Sequence, residues 1–448
     1  MKKKLLLIIA TLAMITTMTI WISGCGEKTQ LDPDKPVTLS LWHVYGEQAD
    51  SPMNRLVDEF NSTVGKEKGV VISTTLMTNA SQIGEKLLDA KAEKPGALDM
   101  PDLFFCHNSN AVEIGTENLV DWEKDFTKDE LDDFLPDFLA DGMSDDTLTV
   151  LPVTKSTQLL FINGTEFERF SKATKVSYDD LATWDGFFDV AGKYYQWSSG
   201  KPFCALDFIL RATDLNAISG GASGDDLYKN DWYNFSNVAL KKSWMQFANA
   251  LVRGHIVVSD LYSNTQVMTG EVASGMGSSA SILYYNDVVI YPDNTTENMD
   301  LQVLPMPYAK GGEKVATQAG VGLCALKTTA AKEEAVSLFA HWLTEPARNL
   351  DFAAETGYMP VTYEALKVVG DYNYKNDAYA RLFAAFEKVQ DSYTLVREPA
   401  FAGFYGKVGN FYTYLRENQG NYAARFKSGV SAKKLTDETW NAFRKARG

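Results

Sequence analysis

The alternation of strand-like and helix-like segments between residues 37 and 106 constrains the fold more than any other feature. Val37-Thr38-Leu39-Ser40-Leu41-Trp42 sets β-branched and large apolar residues in a period of two, the mark of a strand. Met53, Leu56, Val57 and Phe60 then recur at helical spacing. Residues 70–76 return to strand composition, 81–92 to helix, and Pro101-Asp102-Leu103-Phe104-Phe105-Cys106 forms a third, short strand. Such a chain builds an open α/β sheet with crossover helices. A second alternating unit follows, with strands at 147–152 and 158–162. Helices are expected at 178–195, 240–252 and 264–270, and strands at 299–304 and 319–326. In residues 332–343, Ala335, Leu338, Phe339 and Trp342 share one helix face. From Tyr363 on the chain reads as helical, interrupted by the glycine-rich stretch Gly403 to Gly409.

The first 26 residues stand apart. Lys2, Lys3 and Lys4 precede an apolar run from Leu5 to Ile22, and Ser23-Gly24-Cys25-Gly26 follows. This order reads as an export signal rather than part of a mature fold. A cysteine directly after Ser-Gly is similar to a bacterial lipobox. It implies cleavage after Gly24 (residues 1–24 as signal peptide) and a lipid on the Cys25 sulfur. The alternative is an uncleaved anchor helix, since the run nearly reaches spanning length, although Thr11, Thr16, Thr17 and Thr19 dilute it. Either way the body stands outside the cytoplasmic membrane. Residues 25–36 are polar, carry two prolines and read as a lipid-anchored tether.

Removing 24 of 448 residues leaves 424, too many for one core, so two domains are expected. The formal net charge of −15 becomes about −18 without the three signal lysines. Such an acidic body argues against nucleic acid or an anionic lipid surface as partner. Apart from Cys25, the cysteines Cys106, Cys204 and Cys324 are far apart and sit among apolar neighbours, as buried thiols do. His43, His107, His255 and His341 are not spaced as zinc ligands, and no metal or cofactor is expected. Nucleophile-elbow, P-loop and dinucleotide fingerprints are absent from the sequence. Aromatic residues, in contrast, gather at apparent element ends: Trp42, Tyr45, Phe208, Trp232, Tyr284, Tyr285, Tyr358, Phe401, Phe404 and Tyr405. Aromatic faces beside amides and hydroxyls suit sugar rings, and core packing is the alternative for each. Tyr358, Phe404 and Tyr405, next to glycines, are the better candidates for a cleft.

The order of segments resembles the family 1 extracellular solute-binding proteins of ABC importers, which include maltose- and glycerol-3-phosphate-binding proteins. The resemblance rests on Trp42-His43-Val44-Tyr45-Gly46 after the first strand, Pro101-Asp102-Leu103, and the hinge-like run from Pro152 to Asn163. Thr183-Trp184-Asp185-Gly186-Phe187, Thr269 to Gly275, Leu304-Pro305-Met306-Pro307 and Glu355 to Val361 complete it. It covers essentially the whole mature chain.

The resemblance implies an α/β, two-lobe, periplasmic-binding-protein-like fold, each lobe an open, mostly parallel sheet flanked by helices, joined by a hinge. The N-terminal lobe would comprise 37–153 plus 320–356, and the C-terminal lobe 154–319 plus 357–448. It implies binding without chemistry, a carbohydrate ligand, delivery to ABC permease subunits, and a monomer tethered to the membrane by lipid. Carried over from the glycerol-3-phosphate binders, the ligand contacts would be Ser156, Ser278 or Ser279, Gly320 and Tyr358, with Lys407 near the place of an arginine. Lysine is a point charge where guanidinium grips phosphate bidentately. Asn108 replaces an expected acidic residue. Asp207 and Arg211 replace paired tryptophans, and are read either as partners of sugar hydroxyls or as a surface i,i+4 ion pair. Trp42, Tyr45 and Asn108 would serve from the first lobe. Phe404 joins the ligand-binding set. The alternatives are a polyol-phosphate binder, an extracellular glycoside hydrolase, and a structural or adhesive surface lipoprotein.

Overall fold

The structure, a computed structural model, describes residues 29–45, 51–77, 80–144, 146–260, 262–399, 401 and 403–446. The expected signal peptide, Cys25, the start of the tether and Gly46 lie outside the described residues.

The alternation at residues 37–106 has a direct cause. The strand Val37–His43 lies at the centre of a four-stranded sheet, parallel to Val70–Leu76 on one side and Leu103–Cys106 on the other. Leu39, Leu41, Leu103 and Phe105 project to one face and join a core with Met53, Phe60 and Phe339. Trp42, Phe104 and Cys106 project to the other and pack with Ile83 and Leu87. Both faces are covered, so both registers are apolar, as a parallel sheet between helices requires. The strand Gly322–Ala325 completes the sheet, antiparallel to Leu103–Cys106. The helices Pro52–Ser62, Ala80–Lys91 and Ala330–Thr344 pack against these strands.

A second, five-stranded sheet runs in the order Leu301–Pro305, Gln158–Asn163, Ser274–Ser278, Cys204–Leu206, Ile256–Val258. Gln158–Asn163 is antiparallel to both of its neighbours, and the other four strands share one direction. The three strands Cys204–Leu206, Ile256–Val258 and Ser274–Ser278 fall where the sequence reads as mostly helical. Two of them have only three residues, too few to display a period of two, and the third is broken by glycines. Those glycines are there for close approach. A Cβ on Gly275 would stand 2.7 Å from Ser263 Oγ, and one on Gly277 would stand 2.2 Å from Asp207 Oδ2. The expected interruption at Gly403 to Gly409 is corrected. A single helix, Phe404–Lys427, runs through Gly406 and Gly409, and only Gly403 is left-handed (φ 68°), at its N-cap. Nothing lies within 4 Å of a Cβ built on Gly406 or Gly409, so these glycines serve no packing contact. The strand Thr394–Arg397, missed in the sequence, pairs in parallel with Val315–Gln318.

The two sheets meet where the chain crosses between them. Lys155 and Met359 exchange backbone hydrogen bonds of 3.2 and 2.6 Å, and Ser156 and Ala319 exchange bonds of 2.8 and 2.9 Å. Three crossing segments therefore lie side by side. Asn349 ties two of them further, donating to Val153 O (2.6 Å) and accepting from Val361 N (3.1 Å). Tyr45 joins them from the first sheet, its hydroxyl 3.1 Å from Thr154 Oγ1. One apolar cluster continues through this junction, from Phe105 and Leu323 to Leu301 and Val303.

Gly142 ends the helix Pro136–Gly142 against the loop that leads to the crossing. A Cβ there would stand 1.9 Å from the Val150 carbonyl oxygen. Gly142→Ala is expected to cost about 1–3 kcal/mol by forcing this backbone contact apart. Gly406→Ala, exposed in a helix interior, is expected to gain about 0.5–1 kcal/mol. Urea unfolding of both variants checks the pair, and opposite signs are the expected result.

Candidate functional site

The carboxyl ends of the parallel strands in both sheets point to the crossing segments. In the first sheet, Leu103–Cys106 leads directly into His107, Asn108 and Ser109. In the second, Ser274–Ser278 pairs its last residue with Gln158, the residue just past the crossing. Open α/β sheets place their ligands at this edge. A cleft lies there, with a volume of about 40 Å³. Its walls are His107, Asn108, Ser109 and Asp141 from the first lobe, Gln318 to Gly320 from a crossing segment, and Glu398, Pro399 and Tyr405 opposite. A volume so small must open to admit a solute, since small-molecule pockets hold roughly 300–1,000 Å³.

Two ion pairs flank the cleft. Lys155 pairs with Asp141, and Arg211 pairs with Glu398. Tyr405 adds a hydroxyl hydrogen bond to Glu398 Oε2 at 3.0 Å. Glu398 keeps Arg211 charged more firmly than usual although burial opposes that charge. Burial holds the His107 imidazole below its ordinary value, so it is neutral at neutral pH.

The expected site residues separate into groups. Asn108 and Gly320 line the cleft. The Asn108 amide is fully engaged, giving to Asp141 O (3.0 Å) and Met143 O (2.8 Å) and accepting from Ser144 Oγ (2.6 Å). Gly320 takes φ 120°, a left-handed turn that suits glycine. Ser156 lies in the crossing itself. Tyr45 and Tyr358 meet edge to face, centroids 5.8 Å apart, beside Phe352 and Phe105. Ser278 accepts from Ala280 N at 3.3 Å and caps a short 3-10 turn. Ser279 is fully buried beneath Gly357, and its hydroxyl has no partner among the described residues.

Trp42, Phe404 and Lys407 stand away from the cleft. Trp42 is packed in the first lobe beside Phe104 and Ile83. Phe404 is packed among Tyr228, Trp232 and Tyr233, and Lys407 Nζ lies 5.8 Å above the Trp232 ring. The surface pairing of Asp207 with Arg211 is corrected. Asp207 precedes the helix Ile209–Ser219, so the two are not one turn apart on it. Asp207 instead accepts from Ser259 Oγ (2.7 Å), Ser263 N (2.6 Å) and Ser263 Oγ (3.1 Å), and Arg211 turns to Glu398. Asp207 thereby pins the 259–263 loop to the end of its own strand. Around that edge three aromatics are exposed: Phe208, Tyr262 and Tyr284, which follow the strands Cys204–Leu206, Ile256–Val258 and Ser274–Ser278. Tyr262 was not singled out in the sequence, and neither were His107, Asp141, Gln318 and Glu398. No spacing marks them, because they come from five separate segments.

Comparison with known proteins agrees with this geometry. Residues 55–380 match the family described as Bacterial extracellular solute-binding protein. The chain belongs to this family. No curated protein sequence matches it. Among solved structures, the cyclic α-maltosyl-1,6-maltose binding protein of Arthrobacter globiformis is 18% identical, with a TM-score of 0.64 over 92% of this chain and 99% of that one. The sugar-binding protein MalE of Xanthomonas citri is 16% identical (TM-score 0.66, 92% and 97% covered). UgpB of Mycobacterium tuberculosis, solved with glycerophosphocholine, is 14% identical (TM-score 0.66, 92% and 98% covered). These likenesses establish the two-lobe fold of the solute-binding family. Its members bind solutes and are not enzymes as a class. Among the described residues no cluster of His, Cys, Asp or Glu could hold a metal ion, and no helix is long and apolar enough to cross a membrane.

Burial pushes the Asp207 carboxyl up to about 6, against the hydrogen bonds from Ser259 and Ser263 that pull it down. The unfolded chain ionises near the ordinary carboxylate value of about 3.9, so between that pH and about 6 the folded state binds the extra proton. The stability this group contributes is present at low pH and is lost as pH rises through that window. The stability advantage of the wild type over Asp207→Asn is therefore expected to shrink by on the order of 2 kcal/mol between pH 4 and pH 7. Urea titrations at a series of pH values measure it. A gap that stays constant with pH would contradict the raised value.

Proposed function

We propose that this protein is the solute receptor of an ABC importer, capturing a carbohydrate, an oligosaccharide or sugar derivative, between its lobes and delivering it to membrane permease subunits. The observation that carries this reading is the cleft at the carboxyl edge of both sheets. Hydrogen-bonding groups of the first lobe, Asn108, Ser109 and Asp141, share its walls with Glu398 and Tyr405, and Phe208, Tyr262 and Tyr284 are exposed at the carboxyl edge of the second sheet. Sugars offer an apolar ring face to aromatics and hydroxyls to carboxylates and amides. The several structural neighbours described as sugar or oligosaccharide binders support the same class. Asn108, Gly320, Ser156, Tyr358, Tyr405 and the Asp141 and Glu398 carboxylates are the proposed contacts. Phe208, Tyr262 and Tyr284 supply stacking surfaces.

Binding energy drives the cycle. The open form exposes both walls, a solute that touches both favours closure, and the closed form docks on the permease. The polyol-phosphate alternative calls for a cation at the cleft surface, and Lys407 is instead seated over Trp232. The protein is proposed to act as a monomer, exported and held by a lipid on Cys25, with residues 25–36 as the tether. Cys25→Ala is expected to release it from the cell surface into the medium, read by fractionating cells and culture supernatant.

A thermal-shift screen against mono- and oligosaccharides, polyol phosphates and amino acids tests the function. A saturating sugar at 100 times its Kd is expected to stabilise by about 2.7 kcal/mol, seen as a rise in Tm. Tyr405→Ala and Tyr262→Ala are each expected to weaken that response by about tenfold. Response to amino acids alone, or turnover of a chromogenic glycoside, would overturn the reading.

A further inference from the structure

The two carboxylates at the cleft do not face it in the same way as their cationic partners. Among the side chains, Lys155 is 3% exposed and Asp141 24%, while Arg211 is 11% exposed and Glu398 22%. In each pair the cation lies inward and the carboxylate outward. Asp141 and Glu398 line the cleft, and Lys155 and Arg211 do not. The cations pair with the carboxylates from behind and present no positive surface to the solute.

A third group points the same way. Gln318 lines the cleft and is only 2% exposed. Its Nε2 donates to Asp137 O at 3.1 Å, and its Oε1 is buried with no partner among the described residues. The reverse placement of the amide would set two oxygens against each other at Asp137, so the contact itself fixes which end is the oxygen. A buried acceptor without a donor is costly and asks for one from a ligand. Two of the donors nearby are already committed, and the neutral His107 and Ser109 also stand in the walls. Asn108 spends its amide on Asp141 O and Met143 O, and Tyr405 spends its hydroxyl on Glu398. The cleft thus carries acceptors on several walls, drawn from the first lobe (Asp141), a crossing segment (Gln318) and the opposite wall (Glu398).

We infer that the cleft selects its solute by charge: the group that enters between Asp141, Gln318 and Glu398 is a hydrogen-bond donor, a hydroxyl or an ammonium, and sugars bearing a carboxylate or phosphate at that group are rejected. This rests on the carbohydrate reading above and sharpens it to neutral or amino sugars. A donor-bearing solute pairs with all three acceptors at once and so bridges the lobes, which is what closure requires. An anionic solute meets two like charges in a closing, poorly hydrated space, and their buried counter-ions are already engaged.

The test is binding of the purified protein, by calorimetry, to matched sets of hexose, 2-amino-hexose, hexuronate and hexose 6-phosphate, as monosaccharides and disaccharides of the gluco, galacto and manno series. In the series that binds, the amino sugar is expected to bind at least as tightly as the neutral sugar, and the uronate and phosphate at least tenfold more weakly. The paired variant Asp141→Asn with Lys155→Met removes one ion pair whole, leaving no unpaired buried cation, and circular dichroism checks that it folds. It is expected to narrow the discrimination against the uronate at least threefold. Should that variant not fold, Gln318→Leu substitutes for it and is expected to weaken the neutral sugar at least threefold. A uronate or phosphate bound as tightly as the neutral sugar by the wild type overturns the charge selection and leaves the carbohydrate reading standing. No response to any sugar in the sets overturns that reading and the selection with it.

Discussion

The crossing segments are the element on which the rest of this structure depends. Lys155 with Met359, and Ser156 with Ala319, form short backbone ladders that hold three passes of the chain together. Two sheets whose parallel strands end at the same place are thereby set carboxyl edge to carboxyl edge. The cleft is a consequence of that arrangement. Pairing through a single residue with each neighbouring segment leaves the φ/ψ of the flanking residues to absorb a hinge motion, and Gly320, at φ 120°, is one such flank. One apolar cluster continues through the junction and holds the two sheets' cores together there.

Electrostatics at the cleft are built in layers. Lys155 and Arg211 are buried behind Asp141 and Glu398, a placement that is expensive unless each cation is paired and hydrogen-bonded. Asp207 belongs to a different layer. Its three hydrogen bonds to Ser259 and Ser263 shape the edge of the second sheet, and glycine at 277 leaves room for its carboxylate. A carboxylate that looks available in the sequence is thus consumed by a loop, while Asp141 and Glu398, unremarkable in the sequence, form the cleft surface.

The first sheet was legible because Leu39, Leu41, Trp42, Phe104 and Phe105 sit in strands buried on both faces, and burial writes a composition that can be read. The second sheet was less so. Cys204–Leu206 and Ile256–Val258 are too short to carry a period, and Gly275 and Gly277 answer to neighbours that are distant in the chain. Gly406 and Gly409 misled in the other direction, since a long helix packed along Trp244 and Phe443 by Phe411 tolerates glycines that no neighbour crowds. Of the residues that line the cleft, Asn108 and Gly320 were named through family resemblance, and Tyr405 through its neighbouring glycine. Trp42 and Phe404 show the limit of that reasoning, because an aromatic at a strand or helix end is as readily a core residue.

By itself the sequence determined the α/β class, the two-lobe family and the acidic character of the chain. These follow from local periodicity, composition and segment order, which each stretch carries on its own. Only the tertiary structure decided which charged groups meet. Asp141 with Lys155, Arg211 with Glu398, and Gln318 between them come from segments far apart in the chain. Coulomb and hydrogen-bond partners are chosen by distance in space, and no local pattern records that distance.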